Sequence, residues 1–287
     1  MINFNSVVKK KTEIADLHLH TNASDGELTP TQLVKLCARR NIKTIAITDH
    51  DTLAGTAEAK AAGDEFGIAV IPGIELGTNN NDREIHILGY YLDGDNTILS
   101  DYLSEVNEQR LKRTELIVES LAKHGIKVNI DKILDKAGDG TIGRPHIAKA
   151  MVEAGVVGSY QAAFNQWIGD GAPAYEKKTI QHPGELFEVI HASGGAAVLA
   201  HPGTEWKENE IRQMKRDGLD GIEIIHPRHT KRTTALLRQI AYECGLLVTG
   251  GSDFHTLKKR VDPLGKYGIE QQNVDRLTTY CENGLNA

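Results

Sequence analysis

Seven short motifs punctuate this chain from one end to the other, each ending an apolar, β-rich run: DLHLH, SDGELTP, TDHD, GIEL, EIHILGY, LAHPG and GSDFH. Together they carry six histidines and three carboxylates at strand ends. One HxH means little, because histidines at period two also arise on ordinary half-buried strands. Seven such motifs are hard to obtain by chance. They read as a polynuclear metal site written across the whole sequence, and therefore as an enzyme whose fold gathers the ends of many strands.

The pattern between the motifs is strand alternating with helix. In Thr12–His20, Ile14, Asp16, His18 and His20 share one strand face, which lets two imidazoles converge on one ion. Thr29–Arg40 follows as a helix, with Thr29 as N-cap and Pro30 at the first position. Thr44–Thr48, Ile68–Pro72, Glu84–Tyr91, Ala196–Ala200, Gly221–Ile225 and Leu246–Thr249 then recur as β-rich segments. That makes about seven short strands, several separated by helix-length patterns, as βα units require. The alternation breaks between about Ser100 and Lys178. Asp101–His124 carries Leu103, Val106, Ile117 and Leu121 at helical spacing, with Arg110, Lys112 and Arg113 on the same helix, and Ile147–Glu153 and Tyr160–Ile168 read as helices too. The chain therefore reads as two modest domains or as one barrel-type α/β domain, residues 1–99 and 179–287, with a helical insertion, residues 100–178, that reads as a lid or substrate-recognition subdomain. At 287 residues it is long enough to bury a sizeable core.

Composition sets a few bounds. With 40% hydrophobic and 25% charged residues the chain is an ordinary globular one. A formal charge of −6 gives no sign of a basic nucleic-acid-binding surface, yet does not exclude nucleic acid substrates. Cys37, Cys244 and Cys281 are widely spaced without a CxxC and read as reduced thiols. The opening residues lack an apolar signal-peptide core and no apolar run approaches the ~18 residues of a membrane span, so a cytoplasmic protein is expected, with no membrane association and no obligate protein partner. The basic run Lys9–Lys11 reads as a solvated segment.

The constellation resembles the PHP family, the polymerase-and-histidinol-phosphatase superfamily of metal-dependent phosphoesterases. DLHLHTNASDGELTP holds its first motif, AITDHDTL its second, IPGIEL and EIHILGYYLD the glutamate and histidine of its third, and AVLAHPG with TGGSDFH the last ones. GRPHIA in the helical insertion, with the GIEIIHPRHT segment, looks most like the branch containing 3′,5′-nucleoside bisphosphate phosphatases and 5′→3′ exoribonucleases of the RNase AM kind. The resemblance implies a distorted (β/α)7 barrel. It also implies three ions: one held by His18, His20, Glu75 and Asp253, a second bridged by Glu75 and held by His86 and His201, and a third held by Asp25, His50 and His255. Glu75, Asp253 and His255 are expected to be catalytic.

Physical chemistry agrees with that assignment. Imidazole and carboxylate without thiolate suit Mn²⁺, Fe²⁺, Zn²⁺ or Mg²⁺ without selecting among them, and Mn²⁺ is the first expectation. Three divalent ions against three carboxylates leave the cluster at about +3 by formal counting, which attracts phosphate. The expected nucleophile is a metal-bridging hydroxide, so no serine or cysteine nucleophile is needed.

Outside the cluster, Arg144, His146, Arg228 and His229 are expected to contact substrate. Arg144 suits a bidentate phosphate clamp, against the alternative of a surface arginine capping a helix. His146 faces the pocket or packs at a helix start. Arg228 and His229 follow a strand end, where barrels place active-site loops. Glu223 points inward and is read as a structural hydrogen-bond partner, and Asp49 and Asp51 as turn formers or as a carboxylate orienting His50. Lys266, His124, His182 and His191 are read as bland. Gly250 and Gly251 allow close backbone approach before Asp253. The expected activity is hydrolysis of phosphate from 3′,5′-nucleoside bisphosphates, or 5′→3′ cleavage of short RNA. The alternatives are a histidinol-phosphatase-like enzyme for small metabolites and a non-catalytic metal-binding module.

Overall fold

A computed structural model of the protein describes residues 14–80, 83–138, 140–177, 182–204, 206–257 and 262–284. Lys9–Lys11 and the first two residues of the expected opening strand, Thr12 and Glu13, lie outside the described residues. The strands are β1 (Ile14–Leu19), β2 (Thr44–Ile47), β3 (Ala69–Asn80), β4 (Arg83–Tyr90), β5 (Ala196–Leu199), β6 (Gly221–Ile225), β7 (Leu247–Gly250) and β8 (Ile269–Glu270). They form one sheet in the order β7-β6-β5-β4-β3-β2-β1-β8. Seven of them overlap the expected segments, although β3 runs past its expected end at Pro72 to Asn80 and so holds Glu75 within the strand; the eighth spans only two residues, too few to carry a period.

The pairs β1/β2, β2/β3, β5/β6 and β6/β7 are parallel, whereas β3/β4, β4/β5 and β1/β8 are antiparallel. Only residues 81 and 82 separate β3 from β4, which leaves no room for the crossover helix a parallel pair requires. The sheet curls until its first and seventh strands meet. The His20 N–H donates to the Phe254 carbonyl at 3.0 Å and the Asp253 N–H to the His18 carbonyl at 3.0 Å. Asp16, fully buried, adds a third tie by accepting the Ser252 N–H at 2.9 Å. The result is a nearly closed barrel with helices around it.

Helices cover the strands because each buries one apolar stripe. In α1 (Pro30–Arg39), Thr29 and Gln32 form a capping box, as Thr29 and Pro30 predict, and Leu33, Val34 and Cys37 pack on Leu19. α10 (Gln271–Gly284) lays Val274, Leu277 and Cys281 against Ala15 and Leu17. Leu17 is fully buried, so Leu17→Ala would cost about 2–5 kcal/mol. α2 (Thr56–Phe66) connects β2 to β3, and α8 (Glu208–Arg216) connects β5 to β6. On the far side, α7 (Pro183–Ala192) and α9 (Lys231–Cys244) bring Leu186, Phe187, Leu237 and Ile240 onto Ile222 and Ile224.

Between β4 and β5 the chain is helical: α3 (Thr97–Lys123), α4 (Ile130–Ala137), α5 (Arg144–Glu153) and α6 (Tyr160–Ala163), the last continuing into a π-helical turn, Phe164–Ile168. α3 rises about 40 Å at ~1.5 Å per residue, and its two ends belong to different cores. Leu99 and Tyr102 pack in the barrel cluster, whereas Ile117 and Leu121 join Ile133, Ile147 and Met151 in a separate apolar cluster. The boundary drawn at residue 100 thus falls inside one continuous helix. Among the described residues no helix is long and apolar enough to cross a membrane.

Candidate metal centre

The ends of the parallel strands deliver the histidines. His18 closes β1 and His20 lies just past it, His50 follows β2, His201 follows β5, and Asp253 and His255 follow β7. Glu75 in β3 and His86 in β4 sit within the hairpin, with Glu75 opposite Leu88 and His86 opposite Gly77. Two of these positions hold backbone that a side chain rarely adopts: φ is 28° at His201 and 49° at Asp253. Non-glycine residues in this region cluster at functional sites, where the surrounding structure enforces the geometry. Gly251 permits the approach to β1, since a Cβ there would come within 2.3 Å of the His18 Cβ.

Glu75, 1% exposed, is the hub. Its Oε1 lies 2.7 Å from His86 Nδ1 and 3.1 Å from His201 Nε2. Its Oε2 lies 3.2 Å from His18 Nε2, 3.1 Å from His20 Nε2 and 3.3 Å from His50 Nδ1. His255 Nε2 stands 3.2 Å from Asp25 Oδ1, and Asp253 Oδ1 is 3.4 Å from His20 Nε2.

Four groups of donors lie close enough to hold an ion: His20, Asp25, His50 and His255; His18, His20 and Asp253; His18, Glu75 and His201; and His18, Glu223 and His226. The structure thus brings together all nine residues that the motifs single out. Its grouping differs in detail, since His20 joins Asp25, His50 and His255, while His86 reaches Glu75 without entering a group. Glu223, fully buried, places Oε1 3.0 Å from His18 Nδ1, and its Oε2 accepts the His201 N–H at 2.8 Å. It therefore sits behind two of the histidines. His226, also buried, approaches Asp253 Oδ2 at 3.4 Å.

The donor set fits divalent cations on a direct observation. Both ring nitrogens of the fully buried His20, and Oδ1 of Asp25, stand within 3.1–3.9 Å of oppositely charged neighbours, yet none of these contacts among the described residues has hydrogen-bond alignment. Buried polar atoms left so are costly and rare, and an ion supplies the missing partner.

The electrostatics point the same way. Burial opposes ionisation of Glu75, but His50, His86 and His18 outweigh it and hold the carboxyl well below its usual range. Asp253 is depressed against burial by His20 and His226, and Asp25 by His255 and His50. Against burial, Glu223 and Glu75 raise His18, and Asp253 and Glu75 raise His20 to about 10. His50 is pushed down to about 3 and His201 is lowered, both by burial. The carboxylates stay ionised, as ligands of a cation must be, and His18 and His20 would give up their protons to an entering ion.

A cavity of about 330 Å³ is lined by seven of the nine donors together with four arginines. Arg110 and Arg113 come from α3, Arg144 from the start of α5 and Arg228 from the loop after β6. Arg110 is bound to the buried Asp51 and to the Ile142 carbonyl at 3.0 Å. Asp51 is therefore an ion-pair partner for the insertion, which corrects its reading as a turn former. Asp49 likewise departs from its reading as a former of its own turn: it accepts from Thr21 N, Thr21 Oγ1 and Ser24 Oγ at 2.6–2.7 Å, tying down the loop after β1. Arg144 donates to Asp170 at 2.7 Å and stands over the Phe164 and Tyr175 rings.

Arg113 received no site role from sequence, although its i,i+3 spacing from Arg110 places both on one helix face. Its Nε donates to the Glu176 carbonyl at 2.9 Å, while its Nη2 is buried without a partner among the described residues. Burial and the neighbouring Arg144 both weaken its hold on its proton.

His146 and His229 do not line the cavity. His146 is 2% exposed and its Nδ1 accepts the Gly143 N–H, closing the first turn of α5. His229 spends both ring nitrogens on backbone: Nδ1 donates to the Ile224 carbonyl and Nε2 accepts the Gly203 N–H, tying two mouth loops together. His182 caps α7, His124 meets the Ser120 carbonyl, His191 pairs with Asp220, and Lys266 is an exposed loop residue.

The chain is similar to known proteins. A 5′-3′ exoribonuclease of Haemophilus influenzae is 36% identical over 249 residues, spanning 85% of this chain and 90% of that one. A 3′,5′-nucleoside bisphosphate phosphatase of Chromobacterium violaceum is 32% identical over 246 residues, spanning 84% and 86%. A crystal structure described as a metal-dependent phosphoesterase of Bifidobacterium adolescentis superposes with a TM-score of 0.87 at 32% identity, covering 93% of this chain and 96% of that one. The PHP domain pattern itself matches residues 16–164. With the barrel and the histidine-carboxylate cluster in place, the chain belongs to the PHP domain family.

Proposed function

We propose that this protein is a metal-dependent phosphoesterase that cleaves the ester at the 3′ oxygen of a 5′-phosphorylated nucleotide. Its substrates are 3′,5′-nucleoside bisphosphates and, by the same bond cleavage, the first nucleotide of short RNA degraded 5′→3′. The observation that carries this reading is one cavity of about 330 Å³ lined by both the histidine-carboxylate cluster and four arginines. That volume is at the small end of the ~300–1,000 Å³ typical of ligand pockets. The names of the relatives fit a substrate with two phosphates, one for the cluster and one for the arginines.

His18, His20, Asp25, His50, Glu75, His86, His201, Asp253 and His255 would hold the divalent ions, for which three ions and Mn²⁺ are our reading. Bound divalent ions supply an activated water and neutralise charge on the phosphoryl oxygens. Every other contribution belongs to the chain. Arg113 and Arg144 anchor the second phosphate through planar guanidinium groups, and Arg228 bridges toward the scissile one. Glu223 fixes the ring of His18 and the backbone of His201, so the donors meet the substrate already oriented. The insertion, residues 100–178, acts as the lid that carries the anchor and excludes water.

Phosphate release from adenosine 3′,5′-bisphosphate and from histidinol phosphate, and mononucleotide release from 5′-phosphorylated RNA, all with Mn²⁺-loaded protein, test the reading. Turnover of the bisphosphate and the RNA, abolished by chelator and restored by Mn²⁺, is expected. Turnover of histidinol phosphate alone would overturn it.

A further inference from the structure

A second cavity, about 710 Å³, adjoins the cluster at His86 and His201. It shares Glu84, His86, Arg144, His201 and Arg228 with the first, so the two meet at the histidines. A phosphatase acting on a mononucleotide has no use for the second one. A phosphate held at the cluster has its nucleoside in the arginine-lined cavity, and the space beyond it is where anything esterified to that phosphate has to go.

We propose that this second cavity seats the nucleotide on the 3′ side of the scissile phosphate and the start of the chain that follows it. The proposal rests on the phosphoesterase reading above and assigns its polynucleotide branch to particular residues. In the step itself, water adds to phosphorus, the bond from phosphorus to the 3′ oxygen breaks, and the 3′ oxygen takes up a proton. The first nucleotide leaves with a 3′ hydroxyl. The phosphate stays on the 5′ oxygen of the next nucleotide, so the shortened chain again begins with a 5′ phosphate. With hydrogen in place of the next nucleoside, the same balance releases inorganic phosphate, and the second cavity stays empty.

The lining suits a single strand. The Arg83 guanidinium lies 4.1 Å from the centre of the Trp206 ring and donates to Glu210 at 2.6 Å, which fixes a flat cationic surface on the wall. Stacked planar groups of this kind tolerate any base, and cations beside them track phosphates. Arg228 is exposed at the junction of the two cavities and forms no ion pair among the described residues. Among the described residues of the lining the acids are Glu84 and Asp170, and both are turned to Arg144, at 3.7 and 2.7 Å. Thr204 is exposed on the loop after β5 and lines this cavity, while it lies outside the arginine-lined one.

Thr204→Glu puts a like charge in the path of the chain without touching the cluster, and Thr204→Gln adds similar bulk without charge. The test compares kcat/KM for adenosine 3′,5′-bisphosphate and for a 5′-phosphorylated trinucleotide, together with anisotropy of a labelled 5′-phosphorylated oligonucleotide. Thr204→Glu is expected to lower kcat/KM for the trinucleotide by about tenfold or more and to weaken oligonucleotide binding similarly. Hydrolysis of the bisphosphate should stay within about twofold, and Thr204→Gln should retain most of both activities. Arg83→Gln should show the same selective loss. Equal losses on both substrates, or none on the trinucleotide, would overturn the assignment. Native protein that hydrolyses the bisphosphate but no oligonucleotide would refute this subsite alone, whereas failure on both substrates would refute the phosphoesterase reading beneath it.

Discussion

The carboxylate of Glu223 stands 3.0 Å behind Nδ1 of His18, with both side chains fully buried. A histidine held from behind in this way keeps its Nε2 aimed at the cluster, and its ring orientation no longer depends on the ion. The other carboxylate oxygen of Glu223 accepts the His201 N–H, so one side chain positions donors from β1 and from the loop after β5.

Glu223→Gln should therefore lower metal affinity by about 10–100-fold while leaving the fold intact. The amide can still meet His18 or His201, but without the charge that holds the imidazole. Competition with a graded chelator measures the change, and unchanged affinity would remove Glu223 from the support of the site.

Glu75→Ala should abolish phosphate release and reduce bound metal, with the circular dichroism spectrum unchanged. Each oxygen of Glu75 meets imidazole nitrogens from two or more segments of chain. Elemental analysis beside activity decides the matter, because full occupancy with retained turnover would mean that Glu75 is no hub.

Arg113→Gln should raise KM for the bisphosphate by about tenfold with little change in metal content. The buried, unpartnered Nη2 of Arg113 motivates this expectation. Unaltered kinetics would place Arg113 in the scaffold of the insertion.

Arg110→Met should cost about 3 kcal/mol of stability, because it strands the buried Asp51 carboxylate without its cation. Urea denaturation measures it. Adding Asp51→Asn should recover part of the loss, and a double variant as unstable as the sum of both single changes would argue against the pairing.

His191 supplies a pH dependence. Its Nε2 lies 2.7 Å from Asp220 Oδ2, and that hydrogen bond, with the charge of Asp220, raises its pKa against a smaller burial penalty. Protonated His191 thus stabilises the fold fully below its unfolded pKa of about 6.5, and the contribution fades as pH rises through the raised folded value. His191→Gln should destabilise more at pH 5.5 than at pH 8.5, by an amount that salt reduces because the ring is 38% exposed. Denaturation midpoints at the two pH values check this, and a larger effect at high pH would contradict the sign.

Local sequence determined a good deal of this protein. Period-two placement of His18 and His20 between buried leucines, Thr29 and Pro30 at the start of α1, and glycines ahead of Asp253 are short-range chemistry, legible wherever they occur. Seven strands and the helical insertion followed from the same periodicities. The nine donors were readable because their residue types and motifs stand out against apolar runs. What only the tertiary structure decided depends on contacts between distant segments. Pairing of Glu223 with His18 spans 205 residues, and that of Asp51 with Arg110 spans 59. His146 and His229 carry the same side chain as the cluster histidines, yet their nitrogens are taken by backbone groups that no motif announces. Composition fixes which atoms can bind an ion or a phosphate, and the closure of the barrel fixes which of them have no other partner.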